Sequence, residues 1–193
     1  PILASFHAMK VPKGSPLKLS DDPLPLPARL RAMQQRTIDQ FERRHKRSPF
    51  PDYQKLRSAL EVADDALKAR LCDTPGHIED YPGRLIHRDL RAANVLLTGA
   101  PSARSFAGVV DFERAAASDP AWDFVKLRAW IFAQWPRAEA RILKGYQQVR
   151  PLPDEDRITT FTLHEALTTI GFFAGRNEGY TREAVRQIEA FGL

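Results

Sequence analysis

Much of the chain carries apolar residues at the three- and four-residue spacing of an amphipathic helix. The longest stripe predicts a helix over about residues 52–71, and its apolar positions are Tyr53, Leu56, Leu60, Ala63, Leu67 and Leu71. An earlier stripe begins at Pro27 and ends at the break RSPFP. Similar patterns predict further helices over residues 2–9, 137–149, 156–174 and 182–191. Asp119 is placed to cap one more helix, with Pro120 at its first position.

The middle of the chain has a different pattern. Three short segments rich in Val, Leu and Ile predict strands at Arg84–His87, Asn94–Thr98 and Phe106–Asp111. GAPSARS predicts a turn between the last two, and the prolines of DDPLPLP predict an extended connector ahead of the Pro27 helix. We therefore predict an α+β fold that is predominantly helical and has a small β element.

Composition narrows the class of protein. The 193 residues, 43% apolar and 27% charged, are enough for one globular domain. The single cysteine, Cys72, cannot form an internal disulfide, and no apolar run approaches the length of a membrane span. No signal peptide is recognisable. These features predict a cytoplasmic protein with no membrane partner.

The net charge of +5 does not by itself predict a nucleic-acid partner. The 29 lysines and arginines are spread among 24 acidic residues. Their densest cluster, FERRHKR, lies at the end of a predicted helix, where cations interact favourably with the helix dipole. We therefore expect no binding to nucleic acid.

The candidate chemistry lies in two short motifs after predicted strands. In HRDLRAAN, Asp89 and Asn94 are five residues apart, and VVDFE places Asp111 at the exit of the next apolar segment. Phosphoryl transfer requires a carboxylate that accepts the proton of the attacking hydroxyl, and oxygen ligands for Mg²⁺. Each of the three could singly be a loop-capping residue. Their order and spacing together favour phosphoryl transfer.

HRDLRAAN, VVDFE and SDPAWDF together resemble the aminoglycoside phosphotransferase and choline kinase-like family, which has a protein-kinase-like fold. The resemblance implies that Asp89 is the catalytic base, that Asn94 and Asp111 are Mg²⁺ ligands, and that ATP or GTP is the phosphate donor. It also implies supporting roles for His87, Arg88 and Asp123 around the catalytic loop. The matched core covers about residues 84–126.

The chain departs from protein kinases after this core. Arg88 gives the spelling that is common in protein kinases, but only Arg114–Ser118 separate DFE from the DPAWD helix. An activation segment does not fit there, and Glu113 replaces the glycine of D-F-G. A small-molecule kinase is therefore favoured.

The upstream region lacks the parts that grip a nucleotide in such kinases. Residues 1–83 contain three glycines, no glycine-rich loop and no V-A-I-K-like strand. We therefore interpret residues 1–193 as a single kinase-like C-terminal lobe, with a missing N-terminal lobe as a partner.

The substrate is predicted only by class. An aminoglycoside-like antibiotic or related amino alcohol is cationic, so it needs carboxylates in its site, and Glu113 and Glu165 are the candidates carried forward. Ordinary solvated carboxylates are the alternative for both. Two other functions stay open: a non-catalytic lobe or remnant that binds a substrate or a partner, and a metabolite kinase of the choline or homoserine type.

Overall fold

The computed structural model describes residues 2–12, 26–73, 83–100 and 102–192. Helices dominate these residues: α1 Ile2–Ala8, α2 Leu26–Arg47, α3 Tyr53–Asp73, α4 Ala121–Lys126, α5 Pro136–Gln147, α6 Glu155–Phe173 and α7 Glu178–Glu189. The strands are short: β1 Arg84–Ile86, β2 Val95–Thr98, β3 Ser105–Val109 and β4 Ala116–Ser118. The prediction of a mostly helical α+β fold with a small β element is confirmed.

The described chain divides into two compact units. The first contains residues 2–12, 83–100 and 102–154, and the second contains residues 26–73 and 155–192. The extended connector predicted at DDPLPLP lies outside the described residues, except for its last two, which begin α2. That residues 1–193 form a single kinase-like lobe stays a prediction.

Two antiparallel strand pairs organise the first unit. Strand β1 pairs with β4 through Arg84 and Ser118 at one end and Ile86 and Ala116 at the other. Strand β2 pairs with β3 in a hairpin that begins at Val95 opposite Val109 and has an irregular register between Leu96 and Leu97. The HRDLRAAN loop joins β1 to β2, and the VVDFE motif begins at the last residue of β3 and leads towards β4.

Asp119 caps the start of α4 as the sequence predicts, but α4 begins at Ala121, so Pro120 precedes its first residue. The Asp119 carboxylate accepts a hydrogen bond from the Ala121 amide at 2.9 Å, which satisfies one of the free amides at the start of α4. The helix then continues as a π-helical stretch over Leu127–Phe132. Asp123, Phe124 and the residues around them are buried, so this segment forms part of the unit's interior.

The second unit has an apolar core formed by four helices. Residues from α2, α3, α6 and α7 pack together, and its largest members are Phe41, Phe50, Leu60, Leu67, Leu167, Ile170 and Ile188. Helix α6 is the most central of the four, and eleven of its nineteen residues are buried. Thr160 and Thr162 place their hydroxyls on carbonyls four residues earlier, which removes the cost of burying them.

None of the helices in the described residues is long and apolar enough to cross a membrane.

Candidate functional site

The loop between β1 and β2 brings Asp89 and Asn94 together. Asn94 lies in a 3₁₀ turn, Ala92–Asn94, and is only 5% exposed. Its side-chain amide donates to the Asp89 carbonyl at 2.9 Å and lies 3.4 Å from Asp89 Oδ2. The five-residue spacing therefore closes a loop in which the Asn94 Nδ2 amide fixes both the backbone and the carboxylate of Asp89.

Asp111 is tied to the same loop through its neighbour. The Val110 amide donates to the Asn94 carbonyl at 3.0 Å, so β3 ends beside the end of the loop that contains Asp89 and Asn94. Asp111 itself has a left-handed backbone, with φ of 68°, and an exposed side chain. Left-handed conformations are uncommon outside glycine, although aspartate tolerates them better than most residues. The chain therefore turns away from β3 at Asp111, and the Asp111 side chain is exposed there.

His87 joins the two segments from the inside. The ring is 1% exposed; Nδ1 receives the Asp89 amide at 3.3 Å, and Nε2 lies 2.9 Å from the Val110 carbonyl. An amide only donates and a carbonyl only accepts, so these contacts assign a neutral ring with its proton on Nε2. His87 thereby links the backbone at Asp89 to the backbone just before Asp111.

Asp123 braces the start of the loop from α4. Its carboxylate is fully buried and accepts the His87 amide at 2.9 Å and the Arg88 amide at 2.6 Å. Arg88 has a left-handed backbone, with φ of 64°, and its guanidinium lies over the Trp122 ring, 5.2 Å from the centroid. Two consecutive amides directed at one carboxylate hold this strained residue in place.

Three residues of this region were not among the site residues that the sequence predicts. The fully buried His7 of α1 lies 3.0 Å from Asp123 Oδ2, and its other ring nitrogen lies 2.8 Å from the Tyr146 hydroxyl of α5. Arg91 places its Nε atom 3.2 Å from Asp89 Oδ2. Only Arg91, two residues after Asp89, could have been suspected from spacing, because His7 and Tyr146 come from distant elements.

The two substrate candidates lie in different parts of the chain. Glu113 is exposed in a 3₁₀ turn, Phe112–Arg114, two residues after Asp111. Glu165 is half-buried on α6 and belongs to the second unit. The structure thus brings His87, Arg88, Asp89, Asn94 and Asp123 into direct contact, while Asp111 is held near them by its backbone.

The donor atoms suit a hard cation. Nowhere in the described ranges do three or more His, Cys, Asp or Glu side chains gather as a metal-binding group. Mg²⁺ commonly uses one or two protein ligands together with waters and the phosphates of a nucleotide. With Nδ2 of Asn94 bonded to Asp89, Oδ1 is the Asn94 atom that could bind a metal, and the Asp111 carboxylate is the other ligand that the sequence predicts. The residues present therefore fit the cation that phosphoryl transfer uses.

The chain is similar to known proteins at the level of family and of fold. The model of a family described as a phosphotransferase enzyme family matches residues 2–159. Among solved structures, spectinomycin phosphotransferase, APH(9)-Ia, in complex with ADP and spectinomycin, is similar with a TM-score of 0.53 and 12% sequence identity. The similarity covers 98% of this chain and 58% of that one, and at this identity it shows the fold alone. No curated protein matches the sequence.

Proposed function

The chain belongs to the phosphotransferase enzyme family, and from this premise we propose that it serves phosphoryl transfer from a nucleotide to a hydroxyl of a small molecule. The contact that carries the proposal is Asn94 Nδ2 on the backbone and carboxylate of Asp89. It holds a carboxylate in a fixed position beside an amide oxygen suited to Mg²⁺. Asp89, Asn94 and Asp111 thus receive the roles that the sequence resemblance implies.

In this mechanism Asp89 orients the substrate hydroxyl and accepts its proton as the oxygen attacks the γ-phosphorus. The new P–O bond forms while the bond from the γ-phosphorus to the bridging oxygen breaks, and the nucleoside diphosphate leaves with that electron pair. Mg²⁺, held by Asn94 and Asp111 when bound, supplies positive charge to the phosphates. Most of the rate enhancement in such a site comes from positioning and electrostatics.

The remaining loop residues hold Asp89 in position. Arg91, 3.2 Å from Asp89 Oδ2, restricts the carboxylate and favours one orientation of it. His87, Arg88 and Asp123 fix the backbone on the other side through the contacts described above. We assign them positioning roles, since a displacement of about 1 Å in a catalytic group can reduce a rate about a hundredfold.

The proposed substrate class is an aminoglycoside-like antibiotic or a related amino alcohol. Glu113 supports it, because an exposed carboxylate two residues from the Asp111 metal ligand is suited to a cationic substrate. That Glu165 also contacts the substrate stays a prediction of the sequence. A metabolite kinase of the choline or homoserine type uses the same loop chemistry, so a panel of both substrate types separates these candidates.

A non-catalytic lobe is the second candidate function, and two observations favour it. The chain covers 58% of the spectinomycin phosphotransferase chain, and residues 1–83 contain no glycine-rich loop or lysine strand. We propose accordingly that residues 1–193 supply a C-terminal lobe and that a separate N-terminal lobe supplies the grip on ATP or GTP. Without that lobe the chain binds a substrate or partner and transfers no phosphate.

The test of catalysis is the loss of transfer in an Asp89→Asn variant. Turnover with radiolabelled ATP and the substrate panel should fall at least about a thousandfold in the protein as the cell makes it, because the proton acceptor is removed. Arg91→Ala should lose about tenfold, since it removes a positioning contact only. Near-normal turnover in Asp89→Asn would exclude the proposed base. Asp65→Asn, which alters an exposed carboxylate on α3, is the matched control and should retain activity.

A further inference from the structure

The second unit contains a cavity of about 780 Å³ that the proposed chemistry does not use. It lies among the end of α2, the loop of residues 48–52, the end of α6, and α7. All of its lining residues belong to this one unit. Small-molecule sites are commonly clefts of roughly 300–1,000 Å³, so the volume is suited to an organic ligand.

Part of the cavity lining consists of apolar side chains that are packed into the core of the unit. Phe50, Leu56, Ala174 and Val185 line it, and each is less than one-tenth exposed. The wall is tight at Gly175, whose φ is +71° and where an added Cβ would come within 2.9 Å of Phe50 Cβ. A preformed apolar surface of this kind favours binding of an aromatic or alkyl group.

The outer part of the cavity has an excess of positive charge. Five cationic side chains line it, Arg44, Lys55, Arg176, Arg182 and Arg186, against three acidic ones, Asp52, Glu178 and Glu189, which leaves a net charge of +2 (5 − 3). Arg182 lies 4.0 Å from Glu178, and Arg186 is paired with Glu183 at 2.7 Å. These two cations are therefore already compensated, and because Glu183 is not a lining residue, the charge left is +1 (3 − 2), from Arg44, Lys55 and Arg176 against Asp52 and Glu189.

Arg44 and Arg176 bring two guanidiniums to one side of the cavity. Arg44 donates to the carbonyls of Gly171, Phe172 and Ala174 at the end of α6. Burial lowers the pKa of Arg44, and the charge of Arg176 lowers it further. Arg176 itself lies over the Phe172 ring, 5.1 Å from the centroid, and has no carboxylate partner within the described residues. Their mutual repulsion is relieved by a bound anion.

Lys55 provides a further exposed cation in the lining. It is exposed at the first turn of α3 and makes no hydrogen bond or ion pair with another described residue. Lys55 and Arg176 are thus the two lining cations left to bind a ligand. The three acidic side chains would repel a polyanion, so a ligand with one or two negative charges fits best.

We propose that this cavity binds an amphipathic organic anion, with its carboxylate, sulfonate or phosphate head between Lys55 and Arg176 and its apolar body on the Phe50, Leu56 and Val185 surface. The site is separate from the proposed catalytic loop, because every lining residue belongs to the second unit. Its existence does not depend on phosphoryl transfer.

The first test compares two fluorescent probes on the unmodified chain. The anionic probe is 8-anilinonaphthalene-1-sulfonate, and the neutral probe is N-phenyl-1-naphthylamine, which has the same aromatic body without the sulfonate. The proposal predicts that the anionic probe has a Kd at least about tenfold lower. Equal dissociation constants would overturn the anion site without recourse to any variant.

The second test locates the binding in the cavity. A Lys55→Ala/Arg176→Ala double variant should raise the Kd of the anionic probe at least about tenfold and change that of the neutral probe less than about twofold. The matched control, Arg36→Ala/Lys46→Ala, removes the same two charges from exposed positions on α2 outside the cavity and should leave both constants within about twofold. All four side chains are exposed, so the fold is retained, and circular dichroism verifies it. An unchanged Kd for the anionic probe in the first variant would overturn the proposal.

Discussion

The Asp123 carboxylate is the common hydrogen-bond partner of three groups in the first unit. It accepts two backbone amides and lies against the His7 ring, all without exposure to solvent. An asparagine there retains one acceptor oxygen and turns an NH₂ group toward donors. We predict that Asp123→Asn lowers the free energy of unfolding by about 2–4 kcal/mol, because buried donors lose a charged acceptor.

Urea denaturation measures this change, with Glu113→Gln as the control. Glu113 is exposed in the same unit, and its variant should stay within about 0.5 kcal/mol of the unmodified chain. A loss for Asp123→Asn no larger than that of the control would mean that the carboxylate does not brace the loop.

The same residues show what the sequence could predict at this scale. His87, Asp89 and Asn94 are close in sequence, so one motif and one turn bring them together. His7 lies 116 residues from Asp123, and no local pattern encodes the hydrogen bond between them. The left-handed backbone at Arg88 is likewise set by the carboxylate that receives its amide.

At the scale of elements, the junction between α6 and α7 depends on Gly175. Its φ of +71° is costly for a residue with a Cβ, and that atom would also lie 2.9 Å from Phe50 Cβ. Gly192 has nearly the same φ, +70°, with nothing within 4 Å of an added Cβ. An alanine at position 192 therefore adds only the cost of the left-handed backbone, whereas an alanine at position 175 adds the contact with Phe50 as well.

We predict that Gly192→Ala lowers the free energy of unfolding by about 1 kcal/mol or less, and Gly175→Ala by at least about 1 kcal/mol more. Chemical denaturation of the two variants in parallel measures the difference. An equal decrease in the free energy of unfolding for both variants would show that Phe50 can move away from an added Cβ without cost.

Apolar patterns predicted the helices and three of the four described strands, whereas β4 has no such pattern. The stripe from Tyr53 to Leu71 gives a helix that the structure ends at Asp73, because packing against a core repeats with the helical period. Strand β4 has the sequence Ala-Ala-Ser, which carries no β-branched or aromatic residue, and it forms by pairing with β1. The π-helical stretch at Leu127–Phe132 had no sequence signal either.

At the scale of the whole molecule, the first unit contains the proposed catalytic loop and exposes apolar side chains beside it. Leu96, Leu97 and Phe106 on the β2–β3 hairpin are each 44% exposed or more, and Val110 and Phe112 are 39% exposed. Exposed apolar residues near a proposed nucleotide site are consistent with a surface that another lobe or the nucleotide covers. We therefore expect that the loop chemistry and the grip on the nucleotide are supplied by different parts of the protein.

Calorimetric titration of Mg·ATP into the 193-residue chain tests that expectation. We predict no saturation below about 1 mM, since the sequence of residues 1–83 contains no glycine-rich loop and no V-A-I-K-like strand to hold the phosphates. An Asp111→Asn variant, titrated in parallel, should behave identically if binding is absent. A micromolar Kd that disappears in Asp111→Asn would contradict the prediction: the chain would then hold a nucleotide by itself, and the incomplete-lobe interpretation would have to be abandoned in favour of a self-sufficient phosphotransferase.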